Sequence, residues 1–422
     1  MTECRSLKGL VLLVPVILVC LFLPLFPLSS GEAARGEGAA VFDWAIPKLI
    51  KKYNIPGATM SIMKDGRLVI ARGYGITDKE HEVHTRPDTL FRVASVSKTI
   101  TAVGIMKLVQ EGKLNLDRGA FSVLNDLAPF PGHAPDPRFA QVTVRDLLRH
   151  SGGWDSEKSG DPQFMNLDIA CETGLQPPVD SRVLIRYWMG KPLDHDPGKK
   201  YVYSNFGYNI LGRIIEKVTG QTYEDYINSA ILIPLGIRRM QIGKTLRQQR
   251  AKGEGTYYFQ PGAELVDSVF PALGKVPEAY GGWSHPSLDA HGGWIASSVD
   301  LLRFIRGIEG SGGRAPILPA ETIREMTAFQ GLENQSPEKY YALGWNISNP
   351  GTPSEQWSHA GALTGSNAAW LVRRADGVSY ALTFNSLPDD YIGFFGDLEQ
   401  LMRQEIAKFK SWPNKDLFPK YL

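Results

Sequence analysis

Apolar and β-branched runs near both ends of the chain indicate β-strands. The strand candidates are residues 58–63, 68–74, 340–347, 355–359, 369–373 and 378–384. Asp65-Gly66 separates the first two candidates, and Asp376-Gly377 separates the last two. An Asp-Gly pair between two such runs is typical of a tight hairpin turn. The pattern therefore predicts one hairpin near each end of the chain.

Between these ends, apolar residues recur at helical spacing. The predicted helices cover residues 95–112, 142–149, 181–189, 208–219, 223–231 and 299–309. Phe42, Ile46, Leu49 and Ile50 indicate an earlier helix, which Pro47 fits only if it lies in the first turn. Strands from both termini with helices between them predict one sheet assembled from both chain ends, facing a mainly helical lobe. A cleft between the two is the expected place for a binding site.

Composition narrows the possible functions only slightly. The 422 residues include 46 basic and 44 acidic side chains, for a formal charge of +2. Because basic and acidic residues nearly balance, the composition does not indicate the excess of positive charge that is typical of nucleic-acid-binding proteins. No nucleic-acid partner is therefore predicted. No repeat or low-complexity linker is visible after about residue 37, and a single domain over residues 37–410 is predicted.

The first 31 residues have a different character. Arg5 and Lys8 precede an uncharged, largely apolar stretch over residues 9–30, and small residues follow it. This arrangement predicts a signal peptide over residues 1–31, or a membrane anchor if the segment is retained. Three prolines in the stretch interrupt a helix and favour the removable signal. In either case the rest of the chain is expected outside the cytoplasm, periplasmic or secreted.

Three short motifs follow one another in order: Ser95-Val-Ser-Lys98, Tyr203-Ser-Asn205 and His359-Ala-Gly361. Each kind of motif recurs elsewhere in the chain, so the copies are distinguished by their local structural context. The other copies lie at residues 61–64, 336–339, 226–228, 150–152 and 291–293.

The context favours Ser95 as a nucleophile. It lies at the start of a predicted helix, where it would be a natural N-cap, and Lys98 shares its face of that helix. A lysine in a dry cleft can become a base, which a serine hydroxyl needs in order to attack. The positive end of the helix would favour a developing oxyanion. The other two serines of this motif type lie on a strand and in a proline loop, where no such arrangement is expected.

Tyr203 lies in a loop that leads into a helix. A phenol near an ammonium group can exchange protons with a serine. Two other classes of hydrolase lack support. No serine lies in the Gly-x-Ser-x-Gly motif of α/β-hydrolases, and His81 and His84 fall one residue short of the zinc-protease spacing. These two histidines are predicted to be solvated surface groups, and no metal or cofactor is predicted.

The three motifs resemble those of the class C β-lactamase-related branch of penicillin-recognising serine hydrolases, which includes carboxylesterases and D-amino-acid peptidases. Further segments resemble those of the family and occur in the same order, at residues 111–117, 142–153, 234–237 and 292–300. The resemblance implies an α/β fold of the α+β type, in which helices flank an antiparallel sheet beside a mainly helical lobe. It also implies that Ser95 is the nucleophile, Lys98 its proton partner and Tyr203 the general base. Asn205 would bind a substrate amide or hold Lys98.

On the substrate side, the resemblance assigns the strand containing His359 and Gly361 to one wall of the cleft. The backbone N–H groups of Ser95 and Ala362 would form the oxyanion hole. His359 departs from the family, which often has a lysine there to hold a substrate carboxylate. A histidine is largely neutral at pH 7, which argues against dedicated penicillin hydrolysis or removal of a terminal D-alanine.

The sequence therefore predicts an exported serine hydrolase that acts through a Ser95 acyl-enzyme on esters or small amides. One alternative is a cell-wall D-alanyl or D-amino-acid peptidase, or a weak β-lactamase. Another is a non-catalytic ligand-binding or sensor protein with the same fold. A small ester, amide or D-peptide is the expected partner, and a membrane contact requires that the leader is retained. Residues 154–180 and 255–290 are expected to shape the cleft.

Overall fold

The computed structural model describes residues 40–421, and its main feature is an eight-stranded antiparallel sheet. The strands of the chain are β1 Gly57–Lys64, β2 Arg67–Asp78, β3 Val83–His84, β4 Phe91–Arg92, β5 Gln241–Ile242, β6 Val266–Asp267, β7 Lys275–Val276, β8 Trp294–Ala296, β9 Lys339–Tyr341, β10 Asn346–Ser348, β11 Gln356–Leu363, β12 Asn367–Arg374 and β13 Val378–Phe384. The main sheet has the order β3-β2-β1-β13-β12-β11-β10-β9, so the first and last strands of the chain meet at its centre. The predicted antiparallel sheet from both chain ends is confirmed.

Helices cover both faces of this sheet. They are α1 Ala40–Lys52, α2 Ser97–Gln110, α3 Ala120–Val123, α4 Val144–Leu148, α5 Ser156–Ser159, α6 Asn166–Thr173, α7 Ser181–Trp188, α8 Asn205–Thr219, α9 Tyr223–Ile227, α10 Asp289–Gly292, α11 Ser298–Glu309, α12 Ala320–Thr327 and α13 Tyr391–Ala407. One apolar cluster joins α1 and α13 to the sheet through Ile46, Phe394 and Phe384. A larger cluster joins the opposite face to the helical lobe, with Ile100, Leu211 and Leu371 among its members.

Both predicted hairpins form, for the reason that the Asp-Gly pairs suggested. In the β1–β2 turn, Asp65 and Gly66 have φ angles of 50° and 74°. Two consecutive positive φ angles are required by the tight turn that matches the twist of the two strands. In the β12–β13 turn, Gly377 has a φ angle of 79°. The turn residues therefore determine the register of both hairpins.

Several helix bounds differ from the sequence-based expectation. Pro47 was expected in a first turn, but α1 begins seven residues earlier, at Ala40, so Pro47 lies inside the helix. Burial of Phe42, Ile46 and Leu49 against the sheet outweighs the loss of one helical hydrogen bond. Helices α6, α12 and α13 were not predicted from the sequence at all.

The end of the described chain folds back onto the sheet. The N–H of Leu417 donates to the carbonyl oxygen of Leu68 at 2.9 Å, and Phe418 is buried. The segment after residue 410 is therefore part of the same folded unit. Within residues 40–421, no helix is long and apolar enough to cross a bilayer. The predicted leader lies outside the described residues and stays a prediction.

Candidate active site

Ser95 lies in a short turn between β4 and α2. The turn is a 3-10 helix, Ala94–Val96, and Ala94 has a φ angle of 44°. A left-handed conformation costs an L-residue about 1 kcal/mol, so the surrounding structure holds this turn in place. The expectation that Ser95 caps the following helix is wrong, because the N-cap of α2 is Val96 and no side chain caps it. The hydroxyl of Ser95 is therefore left for other contacts.

Strand β11 packs directly against this turn. Its first residues pair with β10, whereas the strand from His359 onward has β12 on one side only. The free side faces the Ser95 turn at Gly361. A Cβ built on Gly361 would overlap the carbonyl oxygen of Val93 and lie 3.3 Å from the backbone nitrogen of Ser95. Only glycine allows β11 to approach the Ser95 turn this closely.

Arg92 ties the nucleophile turn to the loops around it. This arginine is fully buried at the end of β4. It donates to the carbonyl oxygens of Ala279 and Lys244 at 2.8 and 2.9 Å, and to Ser366 Oγ at 3.2 Å. Its guanidinium also lies 4.4 Å from the ring centroid of Tyr257. A planar group with five donors can fix several carbonyl groups at once, so Arg92 holds these loops beside the Ser95 turn.

Lys98 is the second residue of α2 and is completely buried. Its Nζ is 3.0 Å from Ser95 Oγ. It donates to Asn205 Oδ1 at 2.7 Å and to the main-chain oxygen of His291 at 2.9 Å. Burial lowers the pKa of Lys98 well below its ordinary value, and the charge of Asp161 opposes that effect. Desolvation disfavours the charged ammonium, so the neutral amine becomes accessible.

Tyr203 is the second side chain in contact with Ser95 Oγ. Its hydroxyl donates to Ser95 Oγ at 2.7 Å. Lys98 Nζ also lies 4.8 Å from the centroid of its ring. Burial raises the pKa of Tyr203 well above its ordinary value, although the hydrogen bond to Ser95 lowers it. The phenol is therefore neutral in the resting site.

Asn205 links Lys98 to an acid that the sequence did not reveal. Its Nδ2 donates to Asp161 Oδ2 at 2.7 Å, while its Oδ1 accepts from Lys98. The other oxygen of Asp161 accepts from the N–H of Gln163 at 3.0 Å. Burial raises the pKa of Asp161, whereas the bonds from Asn205 and Gln163 lower it. Both oxygens accept hydrogen bonds, which favours the ionised carboxylate.

These contacts favour one of the two roles that the resemblance left open for Asn205. Both ends of its amide are occupied within the protein, so its contacts fit the residue that holds Lys98. Asp161 lies 63 residues along the chain from Lys98, in a loop. The sequence signals only a turn there, since an acid followed by proline is typical of a helix start. Nothing in the sequence places that turn beside Lys98.

His359 is buried on β11. It is only 3% exposed. Its Nε2 is 3.0 Å from the hydroxyl of Tyr341, and its Nδ1 donates to the main-chain oxygen of Ala360 at 2.7 Å. Burial lowers the pKa of His359 to about 3, and the nearby Lys98 adds to the effect. The ring is therefore neutral and already bonded, so position 359 provides no fixed positive charge.

A small apolar cluster flanks the nucleophile and lies apart from the two large cores. It consists of Ala94, Trp283, Leu288 and Leu363, with the partly buried Phe164 packed against it. Phe164 and Trp283 meet edge to face, with ring centroids 6.2 Å apart. The buried Nε1 of Trp283 has no hydrogen-bond partner within the described residues. Phe164 and Trp283 come from the two loops that were expected to shape the cleft.

The rejected copies of the Ser-x-x-Lys and Tyr-x-Asn motifs have other surroundings. Ser61 is buried in β1, where its Oγ lies 2.9 Å from Ser298 Oγ. Ser336 and Lys339 are exposed. Tyr226 donates to the carbonyl oxygen of Gly104 inside the helical lobe. None of these residues has the Ser–Lys–Tyr arrangement found at Ser95.

One group of possible metal ligands occurs within residues 40–421. Asp78, Glu80 and His81 bring one ligand atom each to within 4.8 Å of one another. His81 lies 3.2 Å from Asp78, and Glu80 pairs with Arg247 at 2.8 Å, so ion pairs already engage these groups. His81 and His84 are exposed, which confirms that they are surface residues.

The chain is similar in sequence to several known proteins. The chain is 27% identical over 411 residues to esterase EstB of Burkholderia gladioli, which covers 90% of this chain and 96% of that protein. It is also 27% identical over 307 residues to protein flp of Staphylococcus aureus (strain MW2), which covers 73% of this chain. That match covers 55% of flp, so the chain spans about half the length of this relative.

A solved structure shows the same fold. A D-amino acid amidase from Ochrobactrum anthropi SV3, complexed with L-phenylalanine amide, superposes with a TM-score of 0.67 at 22% sequence identity. The superposition covers 88% of this chain and 100% of that chain. The sequence model of the β-lactamase family matches residues 42–393. Because this match covers most of the chain, the protein belongs to the β-lactamase family.

Proposed function

We propose that the protein is a serine hydrolase that forms an acyl-enzyme at Ser95 and acts on uncharged esters with apolar acyl groups. One observation carries the proposal. Ser95 Oγ lies between Lys98 Nζ at 3.0 Å and the Tyr203 hydroxyl at 2.7 Å. A nucleophile within hydrogen-bond reach of two proton-transfer groups is the arrangement that acyl transfer requires.

The contacts of Lys98 suit a proton acceptor. Asn205 Oδ1 and the His291 carbonyl oxygen can only accept hydrogen bonds, so they occupy both N–H groups of a neutral amine. The nitrogen lone pair is then directed toward Ser95 Oγ, the third contact. Lys98 is therefore aligned to remove the Ser95 proton during attack.

Burial changes which of Lys98 and Tyr203 is the better proton acceptor. The family resemblance implied that Tyr203 is the general base. However, burial raises the pKa of Tyr203 and lowers that of Lys98, so the amine is the better first acceptor. Tyr203 keeps its proton and is placed to pass it to the leaving group. This assignment supports a relay in which Tyr203 connects Lys98 to the departing oxygen.

The reaction then balances in two steps. Ser95 Oγ bonds to the carbonyl carbon while its proton moves to Lys98, and the N–H groups of Ser95 and Ala362 bind the oxyanion. The bond to the alkoxide breaks, Tyr203 gives the alkoxide a proton, and Lys98 returns one to Tyr203. An alcohol and the acyl-enzyme result. A water then attacks the acyl carbon through the same groups in reverse, which releases the acid and restores Ser95.

Two features support an uncharged, apolar substrate. His359 is neutral and bonded to Tyr341, so a substrate carboxylate finds no fixed positive charge at that position. Next to Ser95, the cluster containing Phe164, Trp283 and Leu363 offers an apolar surface to a substituent of the scissile carbonyl. The similarity to esterase EstB supports the same choice. The D-amino acid amidase shares the fold alone, so a peptidase stays the alternative.

Covalent labelling tests the nucleophile. We expect a fluorophosphonate to label the peptide that contains Ser95, because Lys98 activates that hydroxyl. Ser95→Ala should remove both the label and all turnover of a p-nitrophenyl ester. Ser61→Ala and Ser336→Ala are matched controls from the rejected motifs and should keep both. An adduct on another serine, or a folded protein that takes no label, would contradict the assignment.

A substrate panel on the same protein tests the chemistry. We expect kcat/KM for p-nitrophenyl butyrate to exceed the values for a penicillin, a D-alanyl peptide and a D-amino acid amide by at least about tenfold, a difference of about 1.4 kcal/mol. A preference for the D-amide would favour the peptidase alternative. Absence of turnover for the whole panel, with Ser95 unlabelled, would favour the non-catalytic alternative.

A further inference from the structure

His150 is a buried histidine that the proposed mechanism does not use. It belongs to one of the two rejected His-x-Gly motifs, directly after α4, and it is 1% exposed. Its φ angle is 57°, a left-handed conformation that histidine adopts more readily than most residues. Its ring is surrounded by four tyrosine rings, those of Tyr201, Tyr203, Tyr208 and Tyr341.

His150 holds the residues on both sides of Tyr203. The N–H of Val202 donates to the main-chain oxygen of His150 at 2.8 Å. The N–H of Ser204 donates to His150 Nδ1 at 3.1 Å. The rings of His150 and Tyr203 are also in contact, with centroids 4.3 Å apart and planes inclined by 36°. One residue therefore fixes Tyr203 along the chain and against one face of its ring.

The same bond extends to the residue that holds Lys98. Ser204 is the N-cap of α8, and its Oγ accepts from the N–H of Gly207. Asn205 is the first residue of that helix. His150 therefore sets the point at which the loop carrying Tyr203 becomes the helix carrying Asn205.

Packing alone does not account for a histidine at this position. Nδ1 accepts a hydrogen bond, so the proton of the neutral ring is on Nε2. That buried Nε2 has no hydrogen-bond partner within the described residues. Burial and the nearby Lys98 lower the pKa of His150 well below its ordinary value, so the ring does not become charged. A purely apolar side chain would avoid the unpaired N–H but would leave the N–H of Ser204 without its acceptor.

We propose that His150 is a positioning residue, which keeps the Tyr203 hydroxyl within reach of Ser95 by accepting the N–H of Ser204. The inference rests on the proposed function, because it gives Tyr203 a role in proton transfer. It predicts that changes at His150 act on catalysis through Tyr203 and have little further effect once the Tyr203 hydroxyl is absent.

A double-mutant cycle tests this inference. His150→Leu and His150→Asn both remove the ring and have similar size, but only asparagine keeps an acceptor near the position of Nδ1 and readily adopts the left-handed φ. Each is made in the parent protein and in Tyr203→Phe, and kcat and KM are measured with a p-nitrophenyl ester. His285→Leu is the matched control, since His285 is also fully buried and bonds a main-chain oxygen, that of Gly293.

In the parent protein, we expect His150→Leu to lower kcat by about 10–100-fold with KM changed less than about threefold, since a displaced proton-transfer group affects the chemical step. His150→Asn should recover most of that loss. In Tyr203→Phe, both substitutions should change kcat by less than about threefold, because two residues of one unit are not additive. His285→Leu should have the same effect in both backgrounds.

Equal losses from His150→Leu in the two backgrounds would overturn the inference and indicate a role in stability alone. An asparagine variant as poor as the leucine variant would do the same. If His150→Leu does not fold, His150→Asn decides alone: a loss that disappears in Tyr203→Phe supports the inference, and a loss that persists there overturns it. A Tyr203→Phe protein with normal activity would instead contradict the role of Tyr203 in the proposed function.

Discussion

The two sides of the cleft are built on different principles. On the helical side, Ser95, Lys98, Tyr203 and Asn205 form a chain of hydrogen bonds between 2.7 and 3.0 Å long. On the opposite side, the strand β11 and two loops present mainly apolar contacts. There, His359 is buried and already bonded to Tyr341.

The difference separates chemistry from selectivity. Proton transfer between Ser95, Lys98 and Tyr203 requires fixed distances, which the start of α2 and the start of α8 provide. Selection of an acyl group requires a shaped surface, which a loop can supply through contacts such as that of Phe164 with Trp283. The two functions therefore respond differently to substitution.

The largest effect is expected where the two sides touch. Gly361→Ala should lower kcat/KM by about 100-fold or more, because the added Cβ would overlap Val93 O and push β11 away from Ser95. Gly396→Ala is the matched control, since a Cβ there meets no atom within 4 Å and alanine is a better helix former. Steady-state kinetics and the Tm of each variant provide the measurement. Near-normal activity of Gly361→Ala would show that the two sides are not rigidly joined.

The sequence predicted the helical side well, for a physical reason. Ser95 and Lys98 are three residues apart, across the 3-10 turn and the start of α2, so their apposition follows from local geometry. The Asp-Gly pairs likewise predicted both hairpins, since positive φ angles at Asp65 and Gly66 in one turn, and at Gly377 in the other, restrict the turn type. The position of Tyr203 depends on tertiary packing, and the family motif, rather than any local rule, identified it.

The rest depends on contacts between distant parts of the chain. Asp161 reaches Lys98 only through Asn205, and neither loop length nor composition indicates this. His359 was expected to line the substrate site. Its burial depends on the contact with Tyr341, which lies on another strand. The α13 helix was also missed, although it covers one face of the sheet. Such pairings are determined by the fold as a whole.

Substitution of Asp161 is expected to have an intermediate effect on activity. It tests whether the charge of Asp161 controls the pKa of Lys98. Lys98 must be neutral to accept a proton, so kcat/KM should fall as the pH falls through the pKa of Lys98. The charge of Asp161 raises that pKa. Asp161→Asn removes the charge but keeps an acceptor for Asn205. The acidic limb of the pH profile should therefore move to lower pH, while the plateau changes by less than about tenfold, below the usual cost of losing a proton-transfer group.

The control for this experiment lies seven residues further along the chain. Asp168 is exposed on α6, and solvent screens its charge from Lys98. Asp168→Asn should leave the pH profile unchanged. An acidic limb of Asp161→Asn that stays in place, or moves to higher pH, would remove Asp161 from the control of Lys98.

The smallest effect is expected on the loop side, at Phe164. Phe164→Ala removes the partly exposed edge of the apolar cluster. It should lower the ratio of kcat/KM for an octanoyl ester to that for an acetyl ester by about tenfold, since lost apolar contact costs about 1–3 kcal/mol. The rate of the acetyl ester should stay within about threefold, because the proton-transfer groups are unchanged. Phe395→Ala removes an equally half-buried ring on the other face of the sheet and should leave the ratio unchanged. A loss shared equally by both esters would mean that Phe164 supports the turn holding Asp161, and the separation of selectivity from chemistry would fail at this residue.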